Sequence, residues 1–143
     1  MTSPDLENLV KIGKLKREPP SIRELEGLLR SGSARLADAA NVTLALESRF
    51  DLAYNAAHAM ALAALRYRGY RSENRYLVFQ VLPITLGLPT ATWRVLAKCH
   101  EQRNLAEYEG NAGMDERLLA DLLGAARSVQ IAARALLSLG AAT

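Results

Sequence analysis

Apolar residues recur at helical spacing along most of the chain. From residue 21 onward, leucine and alanine repeat at intervals of three, four and seven positions. This spacing places them along one face of an α-helix. Long alternation of apolar and polar residues, which is typical of strands, is missing from the sequence. The pattern therefore predicts an all-α fold, an up-and-down antiparallel helical bundle of four long helices plus a short N-terminal helix.

Polar caps and glycines predict where the first two long helices begin and end. Ser21 and Glu24 have the spacing of a capping box, so a helix is predicted to start there and to end near Thr43. Ser48 precedes a second, alanine-rich helix. Gly69 is placed to adopt the left-handed conformation that ends this helix.

Proline and glycine divide the second half of the chain. Pro83 should kink or end a helix over residues 72–86, because proline lacks the backbone N–H group. Two glycines and an asparagine predict a loop over residues 110–113. The side chains that can cap the two remaining long helices are Thr90 or Thr92 for the first, and Asp115 or Asn111 for the last.

The first twenty residues are predicted to be separate from the bundle. A short helix around residues 6–15 is followed by basic residues and by Pro19 and Pro20, which interrupt helical structure. The basic cluster of Lys11, Lys14, Lys16 and Arg17 is typical of a solvated face. Residues 1–20 are therefore predicted as a short helix and linker, and residues 21–143 as the bundle.

Composition supports one cytoplasmic domain. The chain has 143 residues, of which 50% are hydrophobic and 6% aromatic, enough apolar material for a single core. Its net charge of +3 is too small to identify nucleic acid as a partner. A single cysteine, Cys99, excludes an internal disulfide, and no apolar tract is long enough to cross a membrane.

Common catalytic and metal-binding motifs are missing from the sequence. His58 and His100 lack the Glu-x-x-His spacing of di-iron bundles, and no second histidine completes a zinc-protease helix. A glycine-rich phosphate loop and a Gly-x-Ser-x-Gly elbow are also missing. We expect no metal and no cofactor, and Cys99 is interpreted as a small apolar core residue.

The predicted helix after Thr90 carries a polar face near its end. His100, Arg103, Asn104 and Glu107 lie three and four residues apart, so they share one side of the helix. Arg103 is expected to pair with Glu107, with His100 and Asn104 adding hydrogen-bonding groups beside them. The simplest interpretation is a solvated helix end with one weak salt bridge.

Two stretches of the sequence resemble a known family. They are Phe-Asp-Leu-Ala-Tyr-Asn-Ala-Ala-His over residues 50–58 and Arg-Asn-Leu-Ala-Glu-Tyr over residues 103–108. With the order of helices, they resemble the HEPN family over roughly residues 21–139. The resemblance implies a homodimer in which the helices bearing the arginine motif form a shared polar cleft.

Active HEPN proteins are metal-independent ribonucleases, whose motif pairs an arginine and a polar residue with a later histidine. Arg103 and Asn104 match the first two positions, but Tyr108, Glu109 and Gly110 occupy the positions where the histidine is expected. A tyrosine with a pKa near 10 is a poor acid-base group at neutral pH. If the protein were an enzyme, its residues would be Arg103, Asn104, Tyr108 and His100, with His100, one turn before Arg103, as the substitute acid-base group.

The Arg-Asn-x-x-Glu-Tyr form resembles non-catalytic HEPN members instead. Several of these accompany a minimal nucleotidyltransferase, or act as binding modules in toxin-antitoxin and defence systems. By this resemblance Arg103 and Asn104 bind an anion or hold the dimer, while Glu107 and Tyr108 orient Arg103. The planar guanidinium group of arginine suits a phosphate or carboxylate.

A second candidate surface lies at the turn over residues 66–76. Arginines there alternate with tyrosines, an arrangement that suits single-stranded RNA because guanidinium groups contact phosphates and rings stack on bases. The arginines considered as ligand-binding residues are Arg66, Arg71 and Arg75. The alternative is that the tyrosines pack the end of the bundle and the arginines are simply solvated.

These observations together predict a HEPN-like homodimer that binds RNA or a nucleotide, or that partners a minimal nucleotidyltransferase. A metal-independent endoribonuclease using Arg103 is the first alternative. A structural dimer without a ligand is the second. The first alternative predicts that the protein cleaves RNA. The second predicts that it binds no RNA.

Overall fold

The computed structural model describes residues 3–109 and 114–142, with side chains described for residues 3–106 and 114–138. Within these residues no helix combines the length and apolar character needed to cross a membrane. The predicted all-α class is confirmed, and the predicted loop at 110–113 lies outside the described residues. The described helices and strands are α1 Pro4–Lys11, β1 Lys16–Arg17, α2 Ile22–Ala39, α3 Leu46–Tyr67, β2 Tyr70–Arg71, α4 Arg75–Gln80, α5 Leu82–Thr85, α6 Thr90–Glu109 and α7 Glu116–Ala142.

Helix α3 is the centre of the core, with α2 and α7 packed against it. Its alanines are almost all fully buried, which lets neighbouring helices approach closely. The closest approach of α2 is at Gly32. A Cβ atom built there would lie 2.5 Å from Met60 Cγ and 3.1 Å from the carbonyl oxygen of Ala56. Glycine is therefore the residue that allows this helix pair to pack.

Several predicted helix ends are confirmed. Ser21 Oγ accepts a hydrogen bond from the backbone N–H of Glu24, and Asp115 Oδ1 accepts one from Leu118. Gly69 follows α3 with a φ of +91°, in the left-handed region that favours glycine. Local sequence was sufficient to place these ends.

The connection between α2 and α3 differs from the prediction. Helix α2 ends at Ala39 rather than near Thr43, and α3 begins at Leu46, before Ser48. Asn41 Oδ1 accepts hydrogen bonds from both the backbone and the hydroxyl of Thr43. This local turn offers the backbone an alternative to further helix, so α2 stops early.

Pro83 divides the predicted 72–86 helix into two short helices, α4 and α5. Proline stands in the first turn of α5, where its missing N–H group costs no hydrogen bond. Asn74 caps α4 by accepting a hydrogen bond from the N–H of Leu77. Helix α4 places the Arg75 side chain against α3 and the Tyr76 ring against α6.

The N-terminal segment packs onto the bundle rather than extending away from it. Leu6 and Leu15 are 1% and 3% exposed and belong to the same core as α3. Strand β1 pairs antiparallel with β2, opposing Lys16 with Arg71 and Arg17 with Tyr70. The sequence prediction missed these two-residue strands, and the stretch interpreted as a linker contributes to the fold.

Candidate functional site

A polar cluster lies where α3 meets α6. Asp51, Tyr54 and Asn55 share one side of α3 because they are three and four residues apart. This side contacts the last turns of α6, so the 50–58 and 103–108 stretches meet in space. We name the group the Tyr54 cluster; its members are Asp51, Tyr54, Asn55, Arg75, His100, Arg103 and Asn104.

A hydrogen-bonded chain runs through the His100 imidazole. Tyr54 Oη lies 2.7 Å from His100 Nδ1, and Asn104 Nδ2 lies 3.2 Å from His100 Nε2. A neutral imidazole has one donor and one acceptor nitrogen. If the Asn104 amide donates to Nε2, then Nδ1 carries the proton and donates to the tyrosine oxygen. Hydrogen bonds at both ring nitrogens therefore fix the orientation of the His100 imidazole.

Two guanidinium groups lie beside the buried Tyr54 ring. The guanidinium carbons of Arg103 and Arg75 are 4.9 Å and 5.6 Å from the ring centroid, within the range of cation–π contacts. Arg75 Nη1 donates to Asn55 Oδ1 at 2.9 Å. Arg103 Nε donates to Asp51 Oδ1 at 3.4 Å, a long and partly solvated contact that we expect to be weak. Two arginines from different helices thus converge on one aromatic ring.

The cluster is net positive when its histidine is neutral. It contains two arginines and one carboxylate, Asp51, whose side chain is 60% exposed. Burial lowers the pKa of His100, and the nearby charges of Arg103 and Arg75 lower it further. His100 is therefore an uncharged hydrogen-bonding group at neutral pH, and the local field favours an anion.

His58 lies one turn further along α3, between the cluster and the core. Its ring packs edge-on against Phe79 with centroids 6.0 Å apart. Burial lowers the pKa of His58 to about 4, with smaller contributions from Arg75, His100 and Arg103. The imidazole is neutral at physiological pH.

We expect a pH dependence of stability from His58. Its pKa is about 4 in the folded protein and 6.5 when unperturbed, so between these values the unfolded chain binds more protons. The stability contributed by neutral His58 is complete above pH 6.5 and is lost as the pH falls towards 4; His100 shifts in the same direction. NMR titration gives the pKa values of the two imidazoles, and urea unfolding at each pH gives the free energy of unfolding. A His58 pKa near 6.5 in the folded protein would contradict it.

The structure brings together His100, Arg103 and Asn104 as their spacing predicts. The side chains of Glu107 and Tyr108 lie outside those described, so their predicted roles in orienting Arg103 stay predictions. Arg103 reaches across to Asp51 on another helix. The i,i+4 pattern of α6 gave no indication of this partner.

The arginines of the second candidate surface are separated. Arg66 is only 2% exposed and forms ion pairs with Glu18 and Glu24, and Arg71 binds the same two carboxylates. Arg75 instead belongs to the Tyr54 cluster. The picture of three arginines on one RNA-binding surface is therefore corrected, because two of them are engaged within the chain.

Asp51, Tyr54 and Asn55 were not among the predicted site residues. A usable pattern was present, since these residues and His58 form a polar line at intervals of three and four in an otherwise alanine-rich helix. A polar line on a buried helix needs polar partners from another element. Which helix would supply them could not be deduced from the line alone.

Cys99 is buried in the core, and burial raises the pKa of its thiol to about 12. The thiol is therefore protonated at neutral pH and is a poor nucleophile. Among the residues with described side chains, no three His, Cys, Asp or Glu residues come together as a metal site.

Comparisons with known proteins give no relative for this chain. No family model matches the sequence, and neither the curated proteins nor the solved structures include a match. The resemblance to HEPN proteins therefore rests on the 50–58 and 103–108 stretches.

Proposed function

We propose that the protein is a binding protein whose Tyr54 cluster takes a phosphate group of RNA or of a nucleotide. The observation that carries this proposal is the convergence of Arg75 and Arg103 on one buried ring. Guanidinium groups bind phosphate through paired, charge-assisted hydrogen bonds. The net positive charge of the cluster adds to this attraction. Neutral His100 and Asn104 supply further polar groups at the same place.

The meeting of the two HEPN-like stretches at this cluster supports the same proposal. In the proposed arrangement the chain is a HEPN-like, up-and-down antiparallel bundle, and two copies pair through α6. A minimal nucleotidyltransferase partner, a role in a toxin-antitoxin or defence system, and a cytoplasmic location remain predictions from the resemblance. The binding proposal does not depend on them.

A metal-independent endoribonuclease is a second candidate, which the position of His100 favours. Its lowered pKa leaves the imidazole unprotonated at neutral pH, beside Arg103. In the tautomer described above Nε2 is the basic nitrogen, and it would exchange the Asn104 amide for a ribose 2′-hydroxyl and take its proton. The 2′-oxygen would then bond to phosphorus as the bond to the 5′-oxygen breaks. The leaving 5′-oxygen would take a proton from water, and Arg103 would stabilise the charged phosphorus centre.

Arg103→Ala is expected to weaken binding of single-stranded RNA and of a ribonucleoside monophosphate by about tenfold or more, since a charge-assisted hydrogen bond contributes roughly 1.5–3 kcal/mol. Fluorescence anisotropy and calorimetry measure the two affinities. Arg94→Ala is the matched control, because Arg94 is exposed on the same helix, nine residues earlier and so on its opposite side. It removes the same charge and should change either affinity little.

Two further measurements distinguish the candidates. Bound phosphate should raise the pKa of His100, which NMR can detect, whereas binding elsewhere on the surface should not. Labelled RNA incubated in EDTA and separated on a denaturing gel tests cleavage; cutting that Arg103→Ala abolishes would favour the endoribonuclease. Equal affinities for wild type, Arg94→Ala and Arg103→Ala would contradict phosphate binding at the cluster. Failure of wild type to bind either probe would favour a structural dimer.

A further inference from the structure

A polar cavity adjoins the Tyr54 cluster. It has a volume of about 490 Å³ and lies between the turn after α1 and the start of α4. Pockets for small ligands typically measure roughly 300–1,000 Å³, so the cavity is large enough for one nucleoside. Its walls include Lys14, Ser72, Glu73, Asn74, Tyr76 and Gln80.

Tyr76 lines the cavity and also contacts His100 of the Tyr54 cluster. Its ring lies 6.1 Å from the His100 ring and 6.0 Å from that of Trp93, both in edge-on contacts, and the residue also lines the cavity. The preceding residue, Arg75, belongs to the cluster. A group bound in the cavity would therefore be one side chain away from a group bound at the cluster.

Basic residues line the outer edge of this space. A smaller cavity of about 100 Å³ shares Lys14 and Glu73 with the first and adds Lys16 and Arg71 to its walls. Lys14 and Lys16 are exposed, whereas Arg71 is held by ion pairs with carboxylates of the N-terminal half. Two exposed lysines against one glutamate leave a net positive charge, which favours a phosphate group.

We propose that the cavity takes the adjoining nucleotide of a single-stranded RNA whose phosphate is bound at the Tyr54 cluster, and that Lys14 contacts the next phosphate. This inference rests on the proposed function and narrows its ligand from any nucleotide to a strand. The amides of Asn74 and Gln80 carry the donors and acceptors that base edges require. Single-stranded RNA leaves these edges accessible, while a duplex does not.

Lys14→Ala tests the inference against Lys11→Ala. Lys11 is also exposed, three residues earlier, but lines neither cavity. Affinity for a short labelled RNA is measured by anisotropy at several salt concentrations, and affinity for a ribonucleoside monophosphate by calorimetry. Lys14→Ala should weaken RNA binding several-fold and reduce the salt slope by about 0.7, the value for one lost contact to a single strand. It should leave monophosphate affinity unchanged.

The outcomes separate this inference from the proposed function. RNA affinity unchanged in Lys14→Ala, or an equal loss in Lys11→Ala, overturns the inference even when Arg103→Ala still loses both ligands. Loss of monophosphate affinity in Lys14→Ala also overturns it, because the lysine would then act at the first phosphate. Monophosphate binding unchanged by Arg103→Ala contradicts the proposed function itself.

Discussion

Replacing Arg66 with alanine is expected to lower the free energy of unfolding by about 2–4 kcal/mol, because three backbone carbonyls lose a buried donor and an unsatisfied buried acceptor costs about 1–3 kcal/mol. Arg66 Nε donates to Glu24 Oε1 at 2.6 Å. Its two Nη groups donate to the backbone carbonyls of Glu18, Pro19 and Tyr70. Alanine would leave the three carbonyls without this donor, while Arg71 would still bind both carboxylates, and it would loosen the N-terminal segment from α3.

Urea unfolding monitored by circular dichroism measures the Arg66 effect. Arg66→Lys should recover little stability, because a single ammonium group cannot reach carbonyls and carboxylates in several directions at once. Arg30→Ala, at an exposed position of α2, should change stability by less than about 0.5 kcal/mol. A loss below about 1 kcal/mol for Arg66→Ala would show that the network contributes little.

Tyr54→Ala is expected to cost about 3–5 kcal/mol, as for other large aromatic side chains removed from a core. The Tyr54 ring is fully buried and packs edge-on against Phe79 with centroids 5.8 Å apart. It also supports both guanidinium groups of the cluster. Its removal should therefore weaken RNA binding as well as stability.

Tyr54→Phe separates the two contributions of this side chain. Phenylalanine keeps the ring but loses the hydroxyl bound to His100, so the cost should be only about 1 kcal/mol. RNA affinity should remain close to wild type, because the ring still supports both arginines. Urea unfolding and anisotropy measure both effects. A stability loss for Tyr54→Phe equal to that for Tyr54→Ala would contradict the packing role of the ring.

The long helices were predictable because their apolar spacing alone determines which face is buried. Ser21, Gly69 and Asp115 also act through neighbours in sequence, so their roles as helix ends could be predicted. The β1–β2 pair could not, since two residues carry no usable pattern and their pairing joins distant parts of the chain. The early end of α2 depends on competition within one turn at Asn41, which spacing does not show.

Only those residues of the Tyr54 cluster that lie on α6 were predictable as neighbours. His100, Arg103 and Asn104 share a face of α6 by geometry alone, whereas Tyr54 and Asp51 join them through packing between helices. Arginines at positions 66, 71 and 75 look alike in sequence. Their different environments arise because the segment over residues 18–24 folds back over two of them and not the third.

The contact at Gly32 determines the axial position of α2 along α3. Sliding α2 by one helical turn, about 5.4 Å, would bring Leu28 or Leu36 to the place where even a single added carbon meets Met60. The two helices can therefore approach this closely in one axial position and not in its neighbours. That position places Glu24 opposite Arg66 near one end of α3. Helix α3 also carries Tyr54, which contacts His100 on α6. The absence of one methyl group at residue 32 therefore helps to hold two distant polar clusters in place.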